Sequence, residues 1–188
     1  VLSLLLVSAC GRQEKTEGVQ LAKALNEKKT AFAKICAEEN LVVDQVRKWS
    51  SDIVSNGAGK GPQLEQNALT ALELSKNAVN VGNELSTLRQ SISNIPLTTE
   101  EPGTIRANVM GEFSKRQRYL HELKTLLENS APGFRQLAEQ KSYKGDSFPA
   151  GLDKLNGMVT GYNVREGTLD EAVASLKEKF EIADTELK

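Results

Sequence analysis

Few side chains in this 188-residue chain are of a type that makes or breaks bonds, and their spacing limits what each can do. His121 is the single histidine. Glu122 follows it, but Thr125 stands four residues on, so the pattern that sets two imidazoles around zinc on one helix face is broken. Arg118, three residues before His121, removes the Glu-x-x-His element of di-iron bundles. The two cysteines, Cys10 and Cys36, form no Cys-x-x-Cys pair, which leaves neither a structural zinc set nor a covalent haem motif. Met110 and Met158 are the only methionines that could join His121 on a b-type haem. A lone helical histidine among charged neighbours reads better as solvated surface. No metal and no cofactor is expected.

The stretch Gly57-Ala58-Gly59-Lys60-Gly61 invites a phosphate-loop reading and fails it. The spacing before Lys60 is wrong, Gly61 stands where a magnesium-binding hydroxyl belongs, and no strand precedes the loop. Three carboxylate pairs, Glu38/Glu39, Glu100/Glu101 and Asp170/Glu171, fall within a helix or at helix starts, where negative charge complements the helix dipole. Lys115, Arg116 and Arg118 beside Tyr119 form a basic cluster, with Glu112 and Glu122 at i,i+4 spacing for salt bridges along a solvated face. With 24 Lys and Arg against 25 Asp and Glu, no net field attracts a polyanion, and no nucleic acid partner is expected. The chain reads as a non-enzyme.

Residues 1–9 are uncharged and mostly apolar, end in small residues, and precede Cys10 and the polar stretch Gly11-Arg12-Gln13-Glu14-Lys15. Such a run is too short to span a bilayer, which takes about 20 apolar residues, and suits the apolar region of an export signal. Val7-Ser8-Ala9-Cys10 resembles the lipobox of bacterial lipoproteins. The resemblance implies a signal-peptide remnant at 1–9, lipidation at Cys10 and a tether over 10–18. It also implies a location on the envelope: the outer membrane or periplasmic face of a diderm cell, or the outer face of a monoderm cell membrane. Lipidation of Cys10 would leave Cys36 as a lone thiol on an apolar helix face, where a small buried hydrophobe is the expected role.

The elements that must carry these residues are written in heptads. Positions 21, 25, 28, 32, 35, 39, 42, 46, 49 and 53 are apolar except Lys28 and Glu39, and positions 64 to 95 repeat the spacing with Asn67 as the polar exception. The glycine-rich stretch ending at Pro62 separates the two seams, which predicts an antiparallel helical hairpin. Pro96 to Gly103 breaks the second helix and offers N-caps for a third. The face of that helix is Ile105, Val109, Phe113, Leu120, Leu123 and Leu127, interrupted by Arg116, with an end or kink at Pro132. A short helix is expected through Leu152, Leu155 and Val159, where Gly157 and Gly161 would admit a close neighbour. The capping box Thr168 to Glu171 opens a last long helix reaching Leu187.

The expected fold is all-α: an elongated antiparallel bundle of four long helices with one or two short ones, forming a single domain over 19–188. Its expected role is a membrane-anchored scaffold or interaction module of the envelope, with another envelope protein as partner. The alternative is a ligand- or cofactor-binding bundle with a pocket near Tyr143, Phe148 and Tyr162. Tyr143 and Phe148 are the candidate partner-binding residues, because they stand in a glycine-rich segment unlike the charged flanks.

Overall fold

The computed structural model describes residues 2–139 and 147–187, with side chains over 11–139 and 151–187. The described residues are all-α and contain no strand. The helices are α1 (Leu2–Asn56), α2 (Pro62–Ser93), α3 (Glu100–Ala138), α4 (Ser147–Thr160) and α5 (Thr168–Phe180), followed by a 3-10 turn at Asp184–Leu187. Three helices are long, not four, with 55, 32 and 39 residues against 14 and 13 for α4 and α5. Residues 10–18, expected as a tether, lie within α1 as helix. No described helix is long and apolar enough to cross a membrane.

Local chemistry explains the turns. Gly57, Gly59 and Gly61 have φ of 80°, 81° and 54°, a region that side-chain-bearing residues rarely enter, and Pro62 then begins α2 where its missing N–H costs nothing. Asn67, the polar exception in the second seam, donates to the Ala58 carbonyl at 3.0 Å and accepts from the Trp49 indole at 3.3 Å, which ties the turn to both helices.

Of the end or kink expected at Pro132 the end does not occur, and both ends of the last helix differ from expectation. The helix α3 runs through Pro132, because Ala131 and Phe134 on either side are both buried in one apolar cluster with Ile53, Leu64, Ala68 and Leu152. That burial offsets the roughly 3 kcal/mol cost of an interior proline. At α5 the capping box does not form: Gly167 is the N-cap, the Thr168 hydroxyl donates to the Arg165 carbonyl at 3.2 Å, and the Arg165 guanidinium holds Glu171. The same helix stops at Phe180. Glu181 turns left-handed (φ 51°, ψ 47°), the Ile182 N–H donates to the Lys177 carbonyl at 3.0 Å, and Ile182 is buried in place of Ala183.

The chain divides into two compact units. The first comprises Val1–Ile35, Leu85–Lys115 and Arg165–Lys188. In its core Phe32 stacks on Phe113 with centroids 5.2 Å apart, among fully buried Leu21, Leu25, Leu85 and Leu169. Arg106 of α3 donates to the Ser93 and Ile95 carbonyls just past the end of α2. Gly18 of α1 lies against Phe180 so closely that a Cβ there would stand 2.4 Å from the ring.

The second unit comprises Cys36–Glu84 and Arg116–Val164. Trp49 meets Phe134 edge-on at 5.8 Å, and Leu120, Leu123, Leu127, Leu155 and Val159 are buried. Gly157 and Gly161 do not serve a close helix approach: a Cβ at Gly157 would meet nothing within 4 Å, and one at Gly161 only the Gly157 carbonyl at 4.0 Å.

Candidate functional site

The second unit buries the chain's most unusual polar group, and the heptads put it there. Glu39 occupies an inward position of the α1 seam and Arg116 an inward position of α3, between Phe113 and Leu120. Glu39 is 0% exposed and Arg116 5%. Arg116 Nε donates to Glu39 Oε2 at 2.8 Å, and Nη2 donates to the same oxygen. Nη2 also reaches Cys36 Sγ at 3.3 Å, so the buried thiol contributes a soft acceptor to the pair. The other carboxylate oxygen, Oε1, accepts the Tyr162 hydroxyl.

Tyr162 is held in turn by its ring and its backbone. Tyr119 stacks on it with centroids 3.4 Å apart and planes 8° from parallel. Arg47 donates to the Val159 carbonyl at 2.9 Å and to the Tyr162 carbonyl at 3.4 Å, a cation at the last carbonyls of α4. The Ser50 hydroxyl donates to Asn156 at 3.2 Å, one more link between α1 and α4.

Burial first, and the neighbouring Glu39 charge second, push both phenols above the ordinary tyrosine range, and for Tyr162 the hydrogen bond it donates adds to the rise. Burial works against the Arg116 charge, but attraction to Glu39 and their hydrogen bonds leave its pKa raised. The cluster therefore keeps a protonated guanidinium and two neutral phenols across all physiological pH. Both Glu39 oxygens are occupied by internal donors, so the carboxylate is arranged to fix the pairing of α1, α3 and the segment after α4 and not to accept a substrate proton.

The first unit holds a second buried carboxylate on the same helix. Glu17 Oε2 accepts the backbone N–H of Thr98 at 2.7 Å, that of Thr99 at 2.8 Å and the Thr99 hydroxyl at 2.8 Å, while Oε1 accepts the Thr98 hydroxyl at 2.6 Å. One turn earlier, Glu14 accepts the Glu101 N–H at 3.4 Å. The start of α3 is thus capped from α1, and the Thr98 and Thr99 hydrogen bonds hold the Glu17 pKa down at about 2.

The residues singled out from sequence fall in several places. Cys10 belongs to α1, but its side chain lies outside the described residues, as does that of Phe148 in α4. Tyr143 lies wholly outside them. His121 is exposed on α3. The expected pairing of Glu112 with Arg116 and of Glu122 with Arg118 is replaced: with Arg116 turned inward Glu112 takes Lys115 at 2.6 Å, and Glu122 takes Lys154 at 2.8 Å. Glu101, Asp170 and Glu171 are each paired with a cation, respectively Lys179, Lys29 and Arg165. Among the described residues no three His, Cys, Asp or Glu side chains gather as metal ligands. Comparison with family models, curated proteins and solved structures finds no match to this chain.

Proposed function

We propose that the chain is a membrane-anchored bacterial lipoprotein that acts as a non-enzymatic helical scaffold or interaction module of the cell envelope. One observation carries the reading: an apolar run that ends in Val7-Ser8-Ala9-Cys10 and passes at once into polar sequence. A cysteine acylated in this way carries two or three chains, and at about 0.8 kcal/mol per buried methylene that holds a domain firmly on a membrane. The non-enzymatic half of the reading is supported by the two buried acids, Glu17 and Glu39, whose oxygens are taken up by internal donors. Tyr143 and Phe148 remain the residues proposed to meet another envelope protein.

The test is acylation. The chain is expressed in a bacterium behind an added Met and basic segment, with a labelled fatty acid in the medium. Wild type should incorporate the label and stay in the membrane fraction until detergent is added, while Cys10→Ser should do neither. An unlabelled wild type that washes off in buffer sinks the proposal. The second reading, a ligand-binding bundle, is favoured by a different feature of the second unit, a groove beside its tryptophan.

A further inference from the structure

The helices α1 and α2 enclose a groove of about 340 Å³ in the second unit, a size at the lower end for small-molecule sites. Its walls come from matching positions on the two helices. Gln45, Lys48, Trp49 and Asp52 follow i, i+3, i+4, i+7 on α1, and Thr70, Glu73, Leu74 and Asn77 follow the same spacing on α2. Each helix therefore turns one stripe toward the groove, and buried Leu74 forms part of the wall.

The indole is fixed in place. Its N–H is spent inward on Asn67 at 3.3 Å, and its ring is wedged against Phe134 at 5.8 Å. The half-buried remainder of the ring is an apolar π surface that needs no reorganisation to receive a ligand. Around it, the side chains of Gln45, Lys48, Asp52, Glu73 and Asn77 make no hydrogen bond or ion pair among the described residues, unlike the acids of the Glu17 and Glu39 sites.

Charge narrows the ligand. Two carboxylates, Asp52 and Glu73, face one cation, Lys48, so an anion meets a net repulsive site. Lys48 in the same wall offsets part of the pull that the indole and the two acids exert on an organic cation, which makes choline the competing ligand to test. A neutral, polyhydroxylated ring suits both the aromatic and the polar walls. Its C–H face packs on an aromatic surface, its hydroxyls donate to carboxylates, and an acetamide substituent finds both a donor and an acceptor in the side-chain amides of Gln45 and Asn77. We propose that this groove binds an N-acetylhexosamine unit of a glycan, with Trp49 as the stacking platform and Asp52, Glu73, Gln45 and Asn77 as its polar contacts. The proposal does not depend on the lipid anchor.

Trp49 is the only tryptophan, so its emission reports on this groove alone. The full chain is titrated with N,N′,N″-triacetylchitotriose up to about 10 mM, with calorimetry in parallel, and with cellotriose and choline as comparison ligands. Chitotriose should give a saturable emission change and a matching heat, with a Kd on the order of 1 mM, and cellotriose should bind at least about tenfold more weakly. The double variant Asp52→Asn, Glu73→Gln should weaken chitotriose by about tenfold or more while its circular dichroism stays that of wild type. The absence of both an emission change and heat with chitotriose overturns the proposal. So does undiminished binding by the double variant, equal affinity for cellotriose, or saturable binding of choline in place of the sugar.

Discussion

Two acids on α1, Glu17 and Glu39, are both buried, and the chain satisfies their oxygens by different means. Glu17 is surrounded by neutral donors, the N–H groups and hydroxyls of Thr98 and Thr99 at the start of α3. Glu39 is held by a full charge, Arg116, with a phenol on its second oxygen. In the first case one ion leaves water and the donors are ones a helix start must satisfy in any event. In the second two ions leave water, and their attraction must offset two desolvation costs. The comparison teaches that a buried charge is no single kind of feature: the first unit uses its acid as a cap, and the second uses a matched pair to choose which helices meet.

The largest expected effect breaks the pair. Arg116→Ala strands the Glu39 carboxylate and should cost about 3–5 kcal/mol in urea denaturation followed by circular dichroism. Replacing the whole group should cost far less. The triple variant Glu39→Leu, Arg116→Leu, Tyr162→Phe removes both charges and the phenol that would otherwise lose its acceptor, and it should recover most of that loss. A triple variant no more stable than Arg116→Ala would mean that apolar packing cannot replace the pair.

How much of this was legible beforehand differs between the two acids. The all-α fold follows from the period of the apolar positions, and the interior positions of the first two seams are almost all buried, from Leu21 to Ile95. The Glu39 site left a trace as well. Glu39 is one of two polar residues in the α1 seam and Arg116 the one interruption of the α3 face, so two mismatched charges on inward faces were there to be paired. Tyr162 and Tyr119 stood out only as a pocket aromatic and as the neighbour of a basic cluster, and not as partners of Glu39, because whether a half-polar ring turns inward depends on tertiary contacts. Glu17 was silent, since a carboxylate that caps a helix about 80 residues further along the chain has no local spacing to betray it. The same holds at Gly18, read as part of a tether although its missing side chain makes room for Phe180.

Gly18 therefore sharpens the comparison from the side of the first unit. Gly18→Ala would place a methyl group 2.4 Å from the Phe180 ring, and either the ring or α1 must shift, at about 1–3 kcal/mol. Gly11→Ala, in the same helix with nothing within 4 Å of the new Cβ, is the control, and helix propensity alone should make it neutral or up to about 1 kcal/mol stabilising. Thermal melts of the two variants should move in opposite directions or, at the least, only Gly18→Ala should fall. Equal melts would show that Phe180 is free to move away from α1.

The smallest effect is the most diagnostic, because it depends on pH. The Glu17 pKa is lowered to about 2 in the folded chain from an ordinary 4.5, which makes it the depressed-acid case. The ionised form carries the hydrogen bonds, so its contribution to stability is complete above the unfolded value of 4.5 and is lost as pH falls toward about 2. Glu17→Gln keeps the shape and one acceptor oxygen but never carries the charge. It should be less stable than wild type at neutral pH, and the gap between their urea midpoints should begin to close below pH 4.5 and be nearly gone by about pH 2. Arg116 behaves differently over the same window: its guanidinium stays protonated throughout, so any convergence of Arg116→Ala with wild type must come from protonation of carboxylates. If the Glu17→Gln gap stays constant from pH 7 to pH 2, the Thr98 and Thr99 donors do not hold an ionised carboxylate, and the neutral-donor half of the comparison fails.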